Sequence, residues 1–394
     1  MRYFSKKLVL PILITGIVIA CTSIKSMRDN QRKTGHYKLY TYPSKTQLPQ
    51  SDERYKVVNL FSVNDFNQQI APQIFSIPNR FGENRNLEYG GFDNLLLYTK
   101  KIKEIFPESL LINAGNYFSD ENLKQQIFKA NLVNFDISIL GKNEWSFLTK
   151  NNTPKSLDRE FSKLNHPILV SNFFDLKNVS NFKWRNFQNY QIKKVGDLRI
   201  GFINIVPQGF AEIIDKNFLS GIFIQKTILR VIELSHLLRR KNVDIIALVI
   251  PESTDCSKAQ AENLGLPIEK VNFIPFKYYY CENQNHEVLA ALEKMPHDTV
   301  DIIFSSGSAN LKTANFIHNT PVLQNFGNGQ FLSWATLVFD TKFHKIDKQK
   351  TIIHQPIQLC KNFLKKHLDC YAAEKLDNQE LIPAIFQGEK LSTN

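Results

Sequence analysis

From Val57 onward, short runs of β-branched and aromatic residues alternate with longer amphipathic stretches, and this rhythm restricts the chain to an α/β architecture. Val57 to Val63, Leu110 to Ala114, Ile137 to Leu140, Ile168 to Ser171, Arg199 to Val206, Ile245 to Ile250 and Asp301 to Phe304 read as strands buried on one or both faces. Between them, Phe92, Leu95, Leu96, Ile102, Ile105 and Phe106 recur at helical spacing. Ile228, Leu229, Ile232, Leu234, Leu237 and Leu238 do the same, with Lys226, Arg230, Arg239 and Arg240 as the polar complement. Residues 322 to 340 read as two more strands around the turn Gly327-Asn328-Gly329.

The first residues concern the compartment. Arg2, Lys6 and Lys7 precede an apolar run from Leu8 to Ala20 that stops at Cys21. Thirteen residues are too few for a comfortable bilayer crossing, and charge followed by a short apolar run is the pattern of a secretion signal. Val18-Ile19-Ala20-Cys21 resembles a lipoprotein processing box, which would make residues 1–20 a signal peptide and Cys21 the lipidated mature N-terminus. An uncleaved anchor or an ordinary signal peptide are the alternatives. All three place the body in the cell envelope, facing the periplasm or the exterior. Residues 21–55, polar and interrupted by Pro43 and Pro49, are expected to be a tether, 56–342 the main domain and 343–394 a tail.

Loss of Arg2, Lys6 and Lys7 lowers the formal net charge from +12 to +9. Such a balance favours anionic neighbours, but no run of five or six like charges occurs, so a dedicated nucleic-acid surface is not expected. Beyond Cys21 stand Cys256, Cys281, Cys360 and Cys370, an even number that allows two disulfides in an oxidising compartment, with three pairings open. Cys360 and Cys370 can pair only if the chain turns between them, because ten helical residues span about 15 Å. Helices are expected around Pro356 to Tyr371, docked on the body.

Several segments follow one another in the order of a known plan. Asn64-Asp65-Phe66-Asn67 resembles the Asn-Asp-x-His opening of 5′-nucleotidase-like metallophosphoesterases, and Glu88-Tyr89-Gly90-Gly91-Phe92 resembles that family's Gly-Gly segment. Leu111-Ile112-Asn113-Ala114-Gly115-Asn116 is similar to its Asp-Ala-Gly-Asp block, and Leu140-Gly141-Lys142-Asn143-Glu144 stands in place of its Gly-Asn-His-Glu box. His166 to Asn172, Val195 to Phe202, Val243 to Leu248 and Val300 to Phe304 resemble its later strands. The resemblance spans about residues 55 to 342 and implies a four-layer α/β/β/α sandwich, to which the polar composition beyond Lys342 adds the expectation of a short helical C-terminal tail. It also implies two divalent metal ions, held by oxygen and nitrogen donors and bridged by a carboxylate.

The ligand positions depart from that pattern. Asp65 keeps the first carboxylate, while Asn67 replaces a histidine and Asn116 the bridging aspartate. Lys142 replaces an asparagine ligand, Asn143 the catalytic histidine, Pro251 a further histidine, and Gly307 and Ala309 the closing pair; Glu144 survives. A neutral amide supplies one oxygen and cannot bridge two cations as a carboxylate does. A shifted alignment does not restore the set, since no histidine occurs between His36 and His166.

Three functions follow as expectations. The first is a binding or scaffold lipoprotein without a cofactor, its old cleft offering Lys142, Asn67, Asn116, Asn143 and Glu144 to an anionic ligand or envelope partner. The second is a residual phosphoester hydrolase, dependent on divalent metal ions, that works through one weakly held ion at Asp65, helped by Glu144, Glu252 or Asp255. The third is an envelope assembly component, with Phe173-Phe174 or Phe276 to Tyr280 as a contact patch. About fifty residues follow the last sandwich strand, so the nucleobase-clamping second domain of that family is not expected, and neither is nucleotide specificity.

Overall fold

A computed structural model describes residues 38–40, 48–67, 69–78, 84–119, 122–178, 180–253, 287–307, 313–317, 320–325, 327–354, 356–365, 370 and 381–391. Two large sheets form its centre. The first has ten strands, with Tyr55–Val63, Leu110–Asn113, Ile137–Ser138 and Ile168–Leu169 running parallel to one another. The second has six, with Leu198–Asn204, Ile245–Ile250, Ile302–Ser305 and Thr320–Gln324 parallel at its centre. All seven of the expected strands are present, shifted by a residue or two at their ends.

The sheets pack face to face because each contributes one apolar side. Val58, Leu60 and Ile112 of the first meet Ile200, Ala247 and Phe304 of the second in one buried cluster. The opposite face of the first sheet is covered by the helices Gly91–Ile105, Leu123–Val133, Lys142–Asn151 and Pro154–Phe161, through Phe61, Leu95, Ile127, Trp145 and Phe161. On the outer side of the second sheet, Val231, Leu234 and Leu238 of Thr227–Arg240 and Val288 of Glu287–Leu292 pack on Ile203, Ile246 and Ile303. Helix, sheet, sheet, helix is thus the order of layers. Leu229, grouped above with the apolar stripe, is instead 68% exposed.

Three features differ from the sequence reading. The turn at residues 327–329 does not close a hairpin: Thr320–Gln324 lies in the second sheet and Phe331–Asp340 in the first, so this turn carries the chain between layers. Within the stretch read as tether, Lys38–Tyr40 adds a parallel edge strand beside Ile352–His354. Among the described residues the tail forms strands where helices were expected. Lys345–Ile346, Ile352–His354 and Ile357–Gln358 pair with Phe331–Asp340, and Asn362–Leu364 pairs with Leu381–Pro383. Phe331–Asp340 is buried along its whole length, and its free edge is a template that an adjacent β-branched segment satisfies better than a helix could.

The chain does turn between Cys360 and Cys370, which form a disulfide with Cα atoms 5.8 Å apart. Cys21, Cys256, Cys281, Asp255, Ala309 and Phe276 to Tyr280 lie outside the described residues. Phe173 is a core residue that packs on Trp145 at 5.1 Å, not a surface contact. No described helix is long and apolar enough to cross a membrane.

Candidate functional site

Parallel strands bring their C-terminal ends to one edge, and the loops leaving that edge converge. Tyr55–Val63 leads to Asp65, Leu110–Asn113 to Asn116 and Ile137–Ser138 to Gly141 in the first sheet. Ile245–Ile250 leads to Pro251 and Ile302–Ser305 to Gly307 in the second. Five segments that are far apart in sequence therefore meet at one place.

Asp65, Asn67 and Asn116 all have positive φ, at 49°, 49° and 57°. Asn and Asp tolerate this left-handed region better than other side chains, and here it folds each loop back over the strand ends. The loops are stitched by backbone bonds: Asp65 donates to the Gly115 carbonyl at 3.0 Å, Asn67 to that of Asn116 at 2.8 Å, and Asn328 to that of Asp65 at 2.6 Å.

The Asp65 carboxylate is buried, with 2% of the residue exposed. A buried anion requires donors, and amides supply them. Asn116 Nδ2 donates to Oδ1 at 2.6 Å and Asn64 Nδ2 to Oδ2 at 2.9 Å. The Gly307 backbone N–H reaches both oxygens, at 3.0 and 2.9 Å. The opposite end of the Asn116 amide accepts the Asn143 N–H at 3.1 Å, so its orientation is dictated at both ends. Gly141 makes room for this amide, since a Cβ there would fall 2.2 Å from Asn116 Oδ1.

Glu144 forms the second half of the site. Wholly buried, it accepts the N–H groups of Asn116 at 2.8 Å and Gly141 on Oε2, and those of Tyr117 at 2.8 Å and Phe118 at 2.5 Å on Oε1. Burial pushes its carboxyl up to about 7, against the downward pull of these four donors. Glu144 thereby ties the loop after Leu110–Asn113 to the first turn of Lys142–Asn151.

The expected site residues thus divide into a floor and a rim. Asp65, Asn116 and Glu144 form the connected, buried floor. Lys142, Asn143 and Asn67 are exposed at the rim; Lys142 makes no ion pair among the described residues, and Asn67 Nδ2 donates to Asn328 Oδ1 at 3.1 Å. Glu252 does not join them: its Oε2 accepts Val288 and Leu289 N–H groups at 2.7 and 3.1 Å, and burial raises its carboxyl to about 7. Asn64 and the Gly307 amide were not expected as site groups. The pairing of a buried Asn with the Asp next to it was the available signal for Asn64, whereas a backbone donor leaves none in the side-chain sequence.

The donor set does not fit the two-metal centre that the resemblance implies. A cation needs free lone pairs, and the Asp65 oxygens face three donor groups with partial positive charge. Asn116 offers its neighbour an N–H rather than an oxygen, and Lys142 has no lone pair when charged. Among the described residues, no three His, Cys, Asp or Glu side chains converge in an arrangement able to hold a metal ion.

No family model and no curated protein matches the sequence. Solved structures do match. The chain resembles the NAD nucleotidase of Haemophilus influenzae at 14% identity and a TM-score of 0.52, covering 78% of this chain and 51% of that one. It resembles the 5′-nucleotidase precursor of Thermus thermophilus at 14% and 0.52, covering 76% and 55%. With the calcineurin-like phosphoesterase YfkN of Bacillus subtilis it shares 15% identity at 0.52, covering 74% and 88%. The fold is that of the calcineurin-like metallophosphoesterases. Two of these similar structures are nucleotidases, and the chain spans about half the length of each.

Proposed function

We propose that this chain is a cell-envelope lipoprotein, anchored through Cys21, whose metallophosphoesterase-like body binds a ligand or partner and does not hydrolyse phosphoesters. The observation that supports this reading is the occupation of both Asp65 oxygens by the amides of Asn64, Asn116 and Gly307. Binding a cation there requires breaking charge-assisted hydrogen bonds within a buried pocket. Above that floor Lys142, Asn67 and Asn143 present a positive charge and amide groups at the start of a helix, which suits an anionic ligand.

Elemental analysis of the purified chain together with a phosphate-ester assay tests the proposal. The expected result is substoichiometric metal and no turnover above background. Stoichiometric metal, with turnover abolished by Asp65→Ala, overturns it. Incorporation of labelled fatty acid, lost in Cys21→Ser, checks the anchor separately.

A further inference from the structure

A line of hydrogen bonds leads from the floor of the site into the first sheet. Gly115 donates its N–H to Asn113 Oδ1 at 3.0 Å, Asn113 Nδ2 donates to Ser138 Oγ at 3.1 Å, and Ser138 Oγ lies 2.8 Å from His166 Nε2. The other ring nitrogen, Nδ1, lies 2.9 Å from Asn165 Oδ1. Asn113 and Ser138 are wholly buried and His166 is 3% exposed, while Asn165 stands at the surface.

Each proton in this line is fixed by its neighbours. A backbone N–H can only donate, so Gly115 demands the oxygen end of the Asn113 amide. The nitrogen end then faces Ser138 and makes its oxygen an acceptor. At the far end, Asn165 Nδ2 faces two oxygens, Asn131 O at 3.5 Å and Asn134 Oδ1 at 3.4 Å. That leaves Asn165 Oδ1 toward the ring and requires a proton on His166 Nδ1. Burial pushes the imidazole down to about 3, so it carries one proton only. Nε2 is therefore an acceptor, and it takes the Ser138 hydroxyl proton.

Gly115 is where this line meets the site. Its carbonyl accepts the Asp65 N–H at 3.0 Å, and the next residue is Asn116, whose amide joins Asp65 to Asn143. The loop has little room here, since a Cβ on Gly115 would fall 3.0 Å from Gly141 Cα.

We infer that His166, protonated on Nδ1 alone, is a positioning residue for the ligand site. Through Ser138 and Asn113 it holds the Gly115 peptide where Asn116 can set both Asp65 and the start of the helix Lys142–Asn151. Removing a member of the line leaves a buried donor or acceptor unmatched and loosens the loop. The ligand itself rests on the function proposed above.

The test is nuclear magnetic resonance on the isotopically labelled full chain, with inorganic phosphate as the probe. At neutral pH the ring signals of His166 are expected to show a protonated Nδ1 and an unprotonated Nε2. Ser138→Ala should speed hydrogen exchange at the Gly115 amide about tenfold, with exchange in Ile302–Ser305 as in the parent. It should also weaken phosphate binding, followed at the Lys142 and Asn143 amides, about fivefold. Ser138→Thr keeps the hydroxyl and should restore both. A proton on Nε2 in the parent overturns the inference, as does a Ser138→Ala chain with unchanged Gly115 exchange or unchanged phosphate affinity. Acceleration shared equally by Ile302–Ser305 overturns it too, because that marks a general loss of stability and not a positioning role. A parent that takes up no phosphate removes the anionic ligand proposed above, and the line of bonds is then decided by the tautomer and the Gly115 exchange.

Discussion

Asn116 Nδ2 donates to Asp65 Oδ1 across 2.6 Å, and the two side chains hold each other at the meeting point of the two sheets. The pair is nearly closed to solvent, at 4% and 2% exposure. The buried Asp65 carboxylate is thus held by amide N–H groups, those of Asn116, Asn64 and Gly307.

Asn116→Asp is therefore predicted to be destabilising although it is isosteric. A second buried carboxylate against Asp65 replaces attraction with repulsion, at a cost of about 3 kcal/mol at neutral pH. Urea unfolding at pH 8 and pH 4.5 checks this: the deficit should shrink at the lower pH, where one proton is shared. A variant as stable as the parent at pH 8 would show that Asp65 is not held by this contact.

Glu144→Gln should cost about 2 to 4 kcal/mol, because its amide group would face N–H donors and leave about two of the four without an acceptor. Thermal unfolding followed by circular dichroism measures the loss. An unchanged midpoint would mean that the loop after Leu110–Asn113 does not depend on these bonds.

The pH dependence follows from four buried groups. Burial pushes His166 and His354 down to about 3, from 6.5, while Glu144 and Glu252 are raised to about 7, from 4.5. Between pH 4.5 and 6.5 the unfolded chain holds the two histidine protons and the folded chain the two carboxyl protons, so these groups nearly cancel. Below 4.5 the unfolded chain holds all four and the folded chain two. The contribution of these four groups should thus be level from about 6.5 to 4.5 and then fall with a limiting slope of about 3 kcal/mol per pH unit, while Asp301, also raised by burial, favours the folded state as the pH falls toward its ordinary range. His354→Gln should halve that slope in urea titrations across pH 3 to 4.5; an unaltered slope would remove His354 from the account.

Reduction of Cys360–Cys370 reopens a loop of about ten residues, and chain entropy puts its contribution at about 3 kcal/mol. Unfolding with and without reductant measures this, with Cys360→Ser/Cys370→Ser as the comparison. Insensitivity to reductant in the parent would show that the strands Asn362–Leu364 and Leu381–Pro383 hold without the bridge.

What could be read in the amino-acid sequence was local or periodic. Seven strands and the two long helices were legible from spacing, and the order of motifs from Asp65 to Phe304 pointed to the layered sandwich before any contact was known. The amide, lysine, proline and glycine side chains at the positions the resemblance marks were equally plain, because residue type is a matter of which atoms the side chains carry. Tertiary structure decided what those replacements do. That Asn116 turns its nitrogen to Asp65 and its oxygen to Asn143, or that the Gly307 backbone N–H reaches both Asp65 oxygens, depends on five strand ends meeting across 242 residues of chain. It also decided the tail. Pro356 to Tyr371 read as helical by local pattern, but Ile357–Gln358 is a strand because the edge of Phe331–Asp340 offers it backbone partners, and local propensity is weaker than an available hydrogen-bonding edge.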